Sequence, residues 1–471
     1  MLTASDDLKS RLPGRARLLA FAVAALVGLI WLLFLPAMAG AQEPVAGEQP
    51  PLVFTLEKAI STALERNRDI LVASQDRSRA DAQIREARSG ALPSLDFSGS
   101  FTRNIDKSVL FLAPNTPFNP SSSPVSLALG SNNAYSWSVS LSQTLYNRKI
   151  GIALDIAKAF RDYAQEAYRG TQQSVTLAVK EAFYGVLLTQ KLVEANRQGL
   201  EIVQANLENV QSQYRNGMVA EYDLLRAEVE VANTEPLLVS AENNLQLAKN
   251  SLKDLLTLPL EQDIVVEGEF AFQELPASVM EQATNDAIAK NPQIRQLVLA
   301  ESMQKMNISV EHANYFPVFS LSGGYTYQTE DNTFDFGDYQ WARTSNVGLS
   351  VSLPLFDGFR TGARVAQARS DYEKARFARL KAEEAVRMQM ESAALRMAEA
   401  KKRIQGQEKS IDQARKAVHI AQTRFSNGVG TQLELLDSQV ALTRAQTNYA
   451  VAVYDYLVAE AQWQYTVGLA Q

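Results

Sequence analysis

The chain contains no cysteine. That excludes disulfides, thiolate metal sites, a thiol nucleophile and the lipidated N-terminal cysteine of a bacterial lipoprotein. It has only two histidines, His312 and His419, far apart in sequence. They support neither a histidine-based triad nor a metal cluster. Basic charge is also short, with 46 Lys+Arg against 52 Asp+Glu and a net charge of -6. A nucleic-acid binder needs a basic face to neutralise phosphates, and this balance argues against one. The run Lys401, Lys402, Arg403 reads as a solvated helix face. No glycine-rich phosphate loop appears, so the chain supplies no nucleotide energy of its own. Met303, Met306, Met388, Met390 and Met397 are scattered along helical segments, as gap-filling core residues are. No constellation points to an enzyme, a cofactor or a metal. Beyond residue 35 no apolar run is long enough for a membrane helix.

What is present begins with an address. Lys9 to Arg17 form a basic stretch, Leu18 to Leu35 an uncharged apolar run, and Ala37-Met38-Ala39 and Ala39-Gly40-Ala41 two small-x-small cleavage sites. This predicts a signal peptide over 1–41. Without it the balance becomes 42 basic against 50 acidic residues, about -8. The mature chain is expected to be exported, and any membrane span in it must be a β-barrel.

The chain then says nearly the same thing twice. YRNGMVAEYDLLRAEVE (214–230) returns as FSNGVGTQLELLDSQVA (425–441). REARSGALPSLDFSGSFT (85–102) returns as SVEHANYFPVFSLSGGYT (309–326), and SLSQTLYNRKIG (140–151) as SVSLPLFDGFRT (350–361). Offsets of roughly 210–225 residues predict a tandem duplication. The first structural repeat is expected over 42–257, a connector over 258–280 and the second repeat over 281–471.

Four segments alternate with period two. Trp137, Val139, Leu141 and Leu145 alternate with Ser136, Ser138, Ser140, Ser142 and Thr144. Similar patterns run over 94–101, 319–328 and 346–353. Each is long enough for a tilted membrane strand, with one face for lipid and one for a wet lumen. Trp137, Val139 and Leu141 are expected to face lipid. Two long loops follow from this. Residues 102–135 hold Pro114, Pro117, Pro120 and Pro124, a composition in which no regular element is expected. Residues 328–345 are acidic and aromatic. Four strands cannot close a barrel, so several chains are needed.

The remainder is helical. From about 151 to 216 there is no proline, and Val203, Leu207, Val210 and Tyr214 recur at coiled-coil spacing. The run 362–427 is rich in helix formers. Each could reach roughly 100 Å, and each ends at an Asn-Gly pair, Asn216-Gly217 or Asn427-Gly428. Glycine past a helix end takes the left-handed conformation, so both pairs predict hairpin tips. Pro236 is expected to interrupt and kink the first returning helix. Residues 256–270 read as a non-helical connector before a helix around 276–316.

This order resembles the TolC-like outer-membrane efflux protein family. FTLEKAISTALERNRDI (54–70), ARSGALPSLDFSGS (87–100), SLPLFDGFRTGARVAQAR (352–369) and both Asn-Gly hairpins carry the resemblance. It implies an α+β membrane protein: a homotrimer whose chains each give four strands to a twelve-stranded outer-membrane β-barrel, continued by a periplasmic α-helical barrel of coiled-coil hairpins. It implies a passive exit duct for efflux or type I secretion, docked to an inner-membrane pump through a periplasmic adaptor protein. The tip glycines that would meet the adaptor are Gly217 and Gly428. The periplasmic gate carboxylates fall on Asp223, Glu434 and Asp437. Phe425 stands where an aromatic hydroxyl often serves the gate and Gly430 where an arginine often does, so other contacts are expected, with the exposed Arg215 a candidate. The alternative from a different class is a periplasmic coiled-coil scaffold or adhesin without a channel.

Overall fold

The strands form where small hydroxyl residues alternate with aromatics and aliphatics, because only an extended chain separates the two sets onto opposite faces. In the computed structural model, which describes residues 51–276, 286–335, 337 and 339–469, four such strands make one antiparallel sheet. They are β2 (Ser94–Arg103), β5 (Asn133–Tyr146), β7 (Val318–Asp331) and β8 (Ala342–Ser352), in the order β2-β5-β7-β8. The register keeps the faces pure. Phe97 opposes Val139, which opposes Tyr325; Ser98 opposes Ser138, which opposes Thr326 and, beyond it, Thr344. On the polar face Ser94, Ser98 and Ser100 hydrogen-bond Ser142, Ser138 and Ser136 at 2.8, 2.7 and 2.8 Å. On the other, Phe97 is 70% and Val347 83% exposed. The expected signal peptide at 1–41, the start of the first repeat, part of the connector and both ends of the second repeat fall outside the described residues.

The loop over 102–135 corrects its expectation. It contains a two-stranded hairpin, β3 (Ser108–Leu112) and β4 (Val125–Leu129). The four prolines all lie between these strands, where no ladder hydrogen bond is lost. There the Asn119 side chain donates to the Leu112 and Ser123 carbonyls and holds the turn.

The helices are α1 (Leu56–Arg66), α2 (Arg68–Ser89), α3 (Arg148–Arg215), α4 (Glu221–Leu255), α5 (Pro292–His312), α6 (Arg360–Ser426) and α7 (Gln432–Thr466). Residues 286–290 are also helical. Among the described residues no helix is long and apolar enough to cross a membrane. α3 and α6 have 68 and 67 residues, about 100 Å each. α4 runs unbroken through Pro236. Its surface position lets the neighbouring turns hold the helix although one N–H is missing.

The long helices lie in a row, α4-α3-α7-α6, with α2 on α3 and α5 against both α3 and α6. Two cores anchor the row. One gathers Phe54, Phe183, Leu252 and Ile264, where β1 (Leu52–Phe54) pairs in parallel with β6 (Ile264–Val266). The other gathers Ile294, Met390, Tyr456 and Trp463. Between α3 and α7, Lys180 donates to the Gln464 side chain at 2.8 Å, and Gln464 donates to Glu460 at 3.0 Å. Burial pulls the Lys180 ammonium below its ordinary value and pushes the Glu460 carboxyl above its own; each charge opposes the shift of the other.

The same joint occurs in both halves. Asn67 and Asn291 each cap a helix, and each donates its side-chain amide at 3.0 Å to the end of a returning helix, at Leu255 and Thr466. Just past those ends the backbone turns left-handed, at Thr257 (φ 54°) and Gly468 (φ 77°).

Candidate functional site: the two hairpin tips

At the first tip α3 ends at Arg215 and the chain reverses through Asn216 and Gly217. The Gly217 N–H donates to the Tyr214 carbonyl and the Met218 N–H to the Gln213 carbonyl, both at 2.9 Å. The second tip repeats the pattern, Gly428 to Phe425 and Val429 to Arg424, both at 3.0 Å. This pair of bonds satisfies the orphaned carbonyls of a helix end and requires a left-handed residue. Gly217 has φ 69° and Gly428 φ 72°. A Cβ built on either meets nothing within 4 Å, so the constraint is backbone strain, not crowding. The Asn216 and Asn427 side chains bond back to the Ser212 and Thr423 carbonyls at 2.9 and 2.7 Å.

Such turns usually cover the residue after the glycine with an apolar residue of the last helical turn. Here the facing positions are Gln213 and Arg424, which are polar. Met218 and Val429 are therefore left 68% and 69% exposed. The sequence reading missed this pair. The signal was an apolar residue after each Asn-Gly with no apolar partner five positions earlier.

The carboxylates are divided between the hairpins. Asp223 is in the first turn of α4, half-buried, and its Oδ2 accepts the Ala220 N–H at 3.3 Å. Glu434 is in the first turn of α7; its own N–H donates to Thr431 Oγ1 at 3.2 Å, and its carboxylate lies 3.6 Å from the Arg424 guanidinium. Asp437 lies one turn further on and is exposed. Arg215, the expected substitute partner, instead donates Nε–H to the Gln211 carbonyl of its own helix at 3.3 Å. Arg424 is the arginine that meets a tip carboxylate. Gly430 has a steric reason: a Cβ there would lie 2.9 Å from the Arg424 Cβ and 3.1 Å from Arg424 backbone. Among the described residues no group of His, Asp or Glu could hold a metal ion.

A sheet with one apolar and one hydroxyl face, continued by paired helical hairpins about 100 Å long, defines the class of outer-membrane channel proteins. The chain belongs to the outer membrane efflux protein family, whose model matches residues 59–257 and 283–468. It is 26% identical over 342 residues to the alkaline protease secretion protein AprF of Pseudomonas aeruginosa, covering 72% of this chain and 70% of that protein. It is 22% identical over 415 residues to the outer membrane protein TolC of Vibrio cholerae, covering 88% and 90%. Its fold is similar to the CmeC outer membrane channel of Campylobacter jejuni, with TM-score 0.71, 18% identity and coverage of 88% and 86%. It is also similar to VceC of Vibrio cholerae, with TM-score 0.70, 18% identity and coverage of 88% and 96%. These relatives are channels and secretion proteins rather than enzymes. The protein is an outer membrane protein of a Gram-negative bacterium, reaching into the periplasm.

Proposed function

We propose that this protein is the exit duct of a tripartite efflux or type I secretion system. It passively conducts substrate delivered by an inner-membrane pump through a periplasmic adaptor. In this reading three copies give twelve strands to one barrel, and their hairpins form one helical tube. The two repeats, 42–257 and 281–471, flank the equatorial connector at 258–280, and the matching Asn67 and Asn291 joints support that duplication. Gly217 and Gly428 mark the tips that meet the adaptor; Asp223, Glu434 and Asp437 line the periplasmic mouth.

The observation that carries the reading is the sheet. Among the described residues both edge strands, β2 and β8, lack an outer partner, and an open edge in lipid leaves unpaired backbone groups. Its apolar face is bracketed by aromatic pairs. Phe101 stacks on Tyr135 at 4.7 Å near one end, and Tyr146 meets Phe319 at 6.0 Å near the other. From Tyr135 to Tyr146 is about 36 Å of strand, or roughly 28 Å of height at a 40° tilt. That matches the apolar band between aromatic girdles of a membrane barrel. A periplasmic scaffold has no use for such a band.

The test is mass measurement of the detergent complex, expected to give a trimer; a well-folded monomer rejects the reading. The faces are tested separately. Val139→Arg should cost about 2–4 kcal/mol near the bilayer midplane and Ser140→Arg less, because the lumen is wet. A more damaging serine variant would invert the facing.

A further inference from the structure

The row of long helices ends at α4 on one side and α6 on the other, and among the described residues neither has a second long helix on its outer side. α4 meets α3 through Leu224, Ala227, Val231, Thr234, Leu238 and Ala241, buried or half-buried at alternating spacings of three and four. A second apolar stripe runs beside it through Tyr222, Leu225, Val229, Ala232, Pro236 and Val239, with the same spacing, and every member is exposed. At 3.5 residues per turn the two stripes are centred roughly 150° apart. That is the angle between the two neighbours of a helix in a closed ring of twelve.

α6 has the opposite outer face. Met390, Ala393, Met397, Ala400 and Ile404 are buried. Directly opposite this seam lie Lys402, Lys409 and Lys416, seven residues apart and all exposed. None has a side-chain partner among the described residues. α4 has its own ladder at the same interval, Glu221, Glu228, Glu235 and Glu242, beside the exposed apolar stripe. Of these only Glu242 is paired, with Arg197 at 3.1 Å. Counted over each helix, α6 carries 16 basic and 8 acidic residues, and α4 carries 3 basic and 7 acidic. The two free edges of the row are thus of opposite charge.

The register can be read within one chain. Gln462 donates to Glu181 at 3.0 Å, across α7 and α3. Glu181 stands 34 residues from the end of α3 and Gln462 30 residues from the start of α7. The second hairpin therefore sits about four residues, or roughly 6 Å, nearer the sheet. Rotation about the tube axis preserves height. Glu235 is 14 residues from the start of α4; Lys416 is 10 from the end of α6, and the offset brings it level with Glu235. One heptad higher, Lys409 comes level with Glu242.

We propose that α6 of one copy docks on the exposed face of α4 of a second copy, with the Lys416 and Lys409 stems covering the apolar stripe and their ammonium groups meeting Glu235 and Glu242. A lysine stem can cover apolar surface while its head stays with a carboxylate. The contact is heterologous, so repetition closes a ring. The inference rests on the trimeric reading and adds the residues that set its register. Being charge-matched, the seam forms less readily as salt rises.

The chain has no native cysteine, so engineered pairs have no background. The full-length protein is made with Glu235→Cys and Lys416→Cys together, or Glu242→Cys and Lys409→Cys, and treated in membranes with a bismaleimide of roughly 8 Å span, suited to packed helices. Covalent dimers and trimers are expected from both pairs. The mismatched pair Glu228→Cys with Lys402→Cys, roughly 30 Å apart in height, should give none. A second arm needs no cysteine. Lys409→Glu with Lys416→Glu should remove most trimer at low salt, and adding Glu235→Lys with Glu242→Lys should restore it. Absent in-register crosslinks, or equal crosslinking of the mismatched pair, overturn the proposal. So does a reversal that leaves trimer yield unchanged, or one that the compensating pair fails to rescue. A wild-type complex that is not trimeric by mass would instead reject the reading beneath it.

Discussion

At the first tip α4 is N-capped by Ala220, which has no side-chain acceptor, and only the reverse bond is made, from the Ala220 N–H to the Asp223 carboxylate. At the second tip α7 begins at Thr431, whose hydroxyl caps the helix, and Glu434 is left to face Arg424. The reversals are alike to within 3° in φ at the glycine. One turn is thus used twice with two capping schemes. The difference gives the carboxylates unequal local roles: Asp223 holds a helix end together, Glu434 faces Arg424, and in the proposed function Asp437 is the carboxylate left to act on what passes the mouth.

The largest effects should come from what the tips share. Gly217→Val and Gly428→Val should each cost about 1–2 kcal/mol locally, because a β-branched residue must adopt positive φ. Trimer yield and membrane insertion should stay nearly intact, while crosslinking to the adaptor and pump-dependent export are lost. Undiminished export in both would make the tips turns and nothing more; loss in only one would confine docking to that hairpin.

Next come the caps. Thr431→Ala should loosen the first turn of α7 by about 1 kcal/mol. Ala220→Ser should tighten α4 by up to about 1 kcal/mol, its hydroxyl accepting the Asp223 N–H while the Asp223 carboxylate keeps the N–H of residue 220. Hydrogen exchange of the first-turn amides reads both, and movement in the same direction would show that the caps are not the difference.

Smaller still, Asp223→Ala should cost about 0.3–1 kcal/mol, whereas Glu434→Ala should change stability by less than about 0.5 kcal/mol, since an exposed ion pair contributes little. Asp437→Ala should leave stability unchanged but weaken the cation preference of single channels. If Asp223→Ala changes selectivity more than Asp437→Ala does, the division of duties is reversed.

The wall gives the mildest signal and separates itself from the tips by pH. Burial raises the Glu460 carboxyl, so the fold favours its protonated form. That contribution is full below the ordinary glutamate range and lost as pH rises through the raised value. Lys180 is shifted downward, so its contribution is lost on the alkaline side as pH falls through the lowered value. Glu460→Gln should therefore flatten the decline of Tm from acidic to neutral pH; an unchanged slope would remove Glu460 as its source.

Where local chemistry dictates local shape, the sequence was readable. Alternating small polar and large apolar residues marked all four sheet strands, and Asn-Gly marked both reversals. What escaped needed a partner distant in sequence. Leu52–Phe54 is three residues long and becomes a strand only against Ile264–Val266. The β3–β4 hairpin was hidden because proline composition was averaged over the whole loop, although its strands contain none. Asn67 divides the first helical run in two, and the reason is its bond to Leu255, 188 residues away. At the tips the glycines were legible from the turn they require. The arginine that meets Glu434 was not: Arg424 holds the place of Gln213 in the first repeat, while Arg215 aligns with Ser426, so nothing in the repeat pattern pointed from one arginine to the other.

The serine pairs across β2 and β5 bear on traffic. A hydroxyl bonded to its neighbour across the strands has less to offer a molecule moving past, and such a surface holds a solute only briefly. In the proposed duct a wall of this kind would have low friction, neither selecting by recognition nor slowing what it carries. Selectivity would then be left to charge at the mouth and to whatever delivers the cargo.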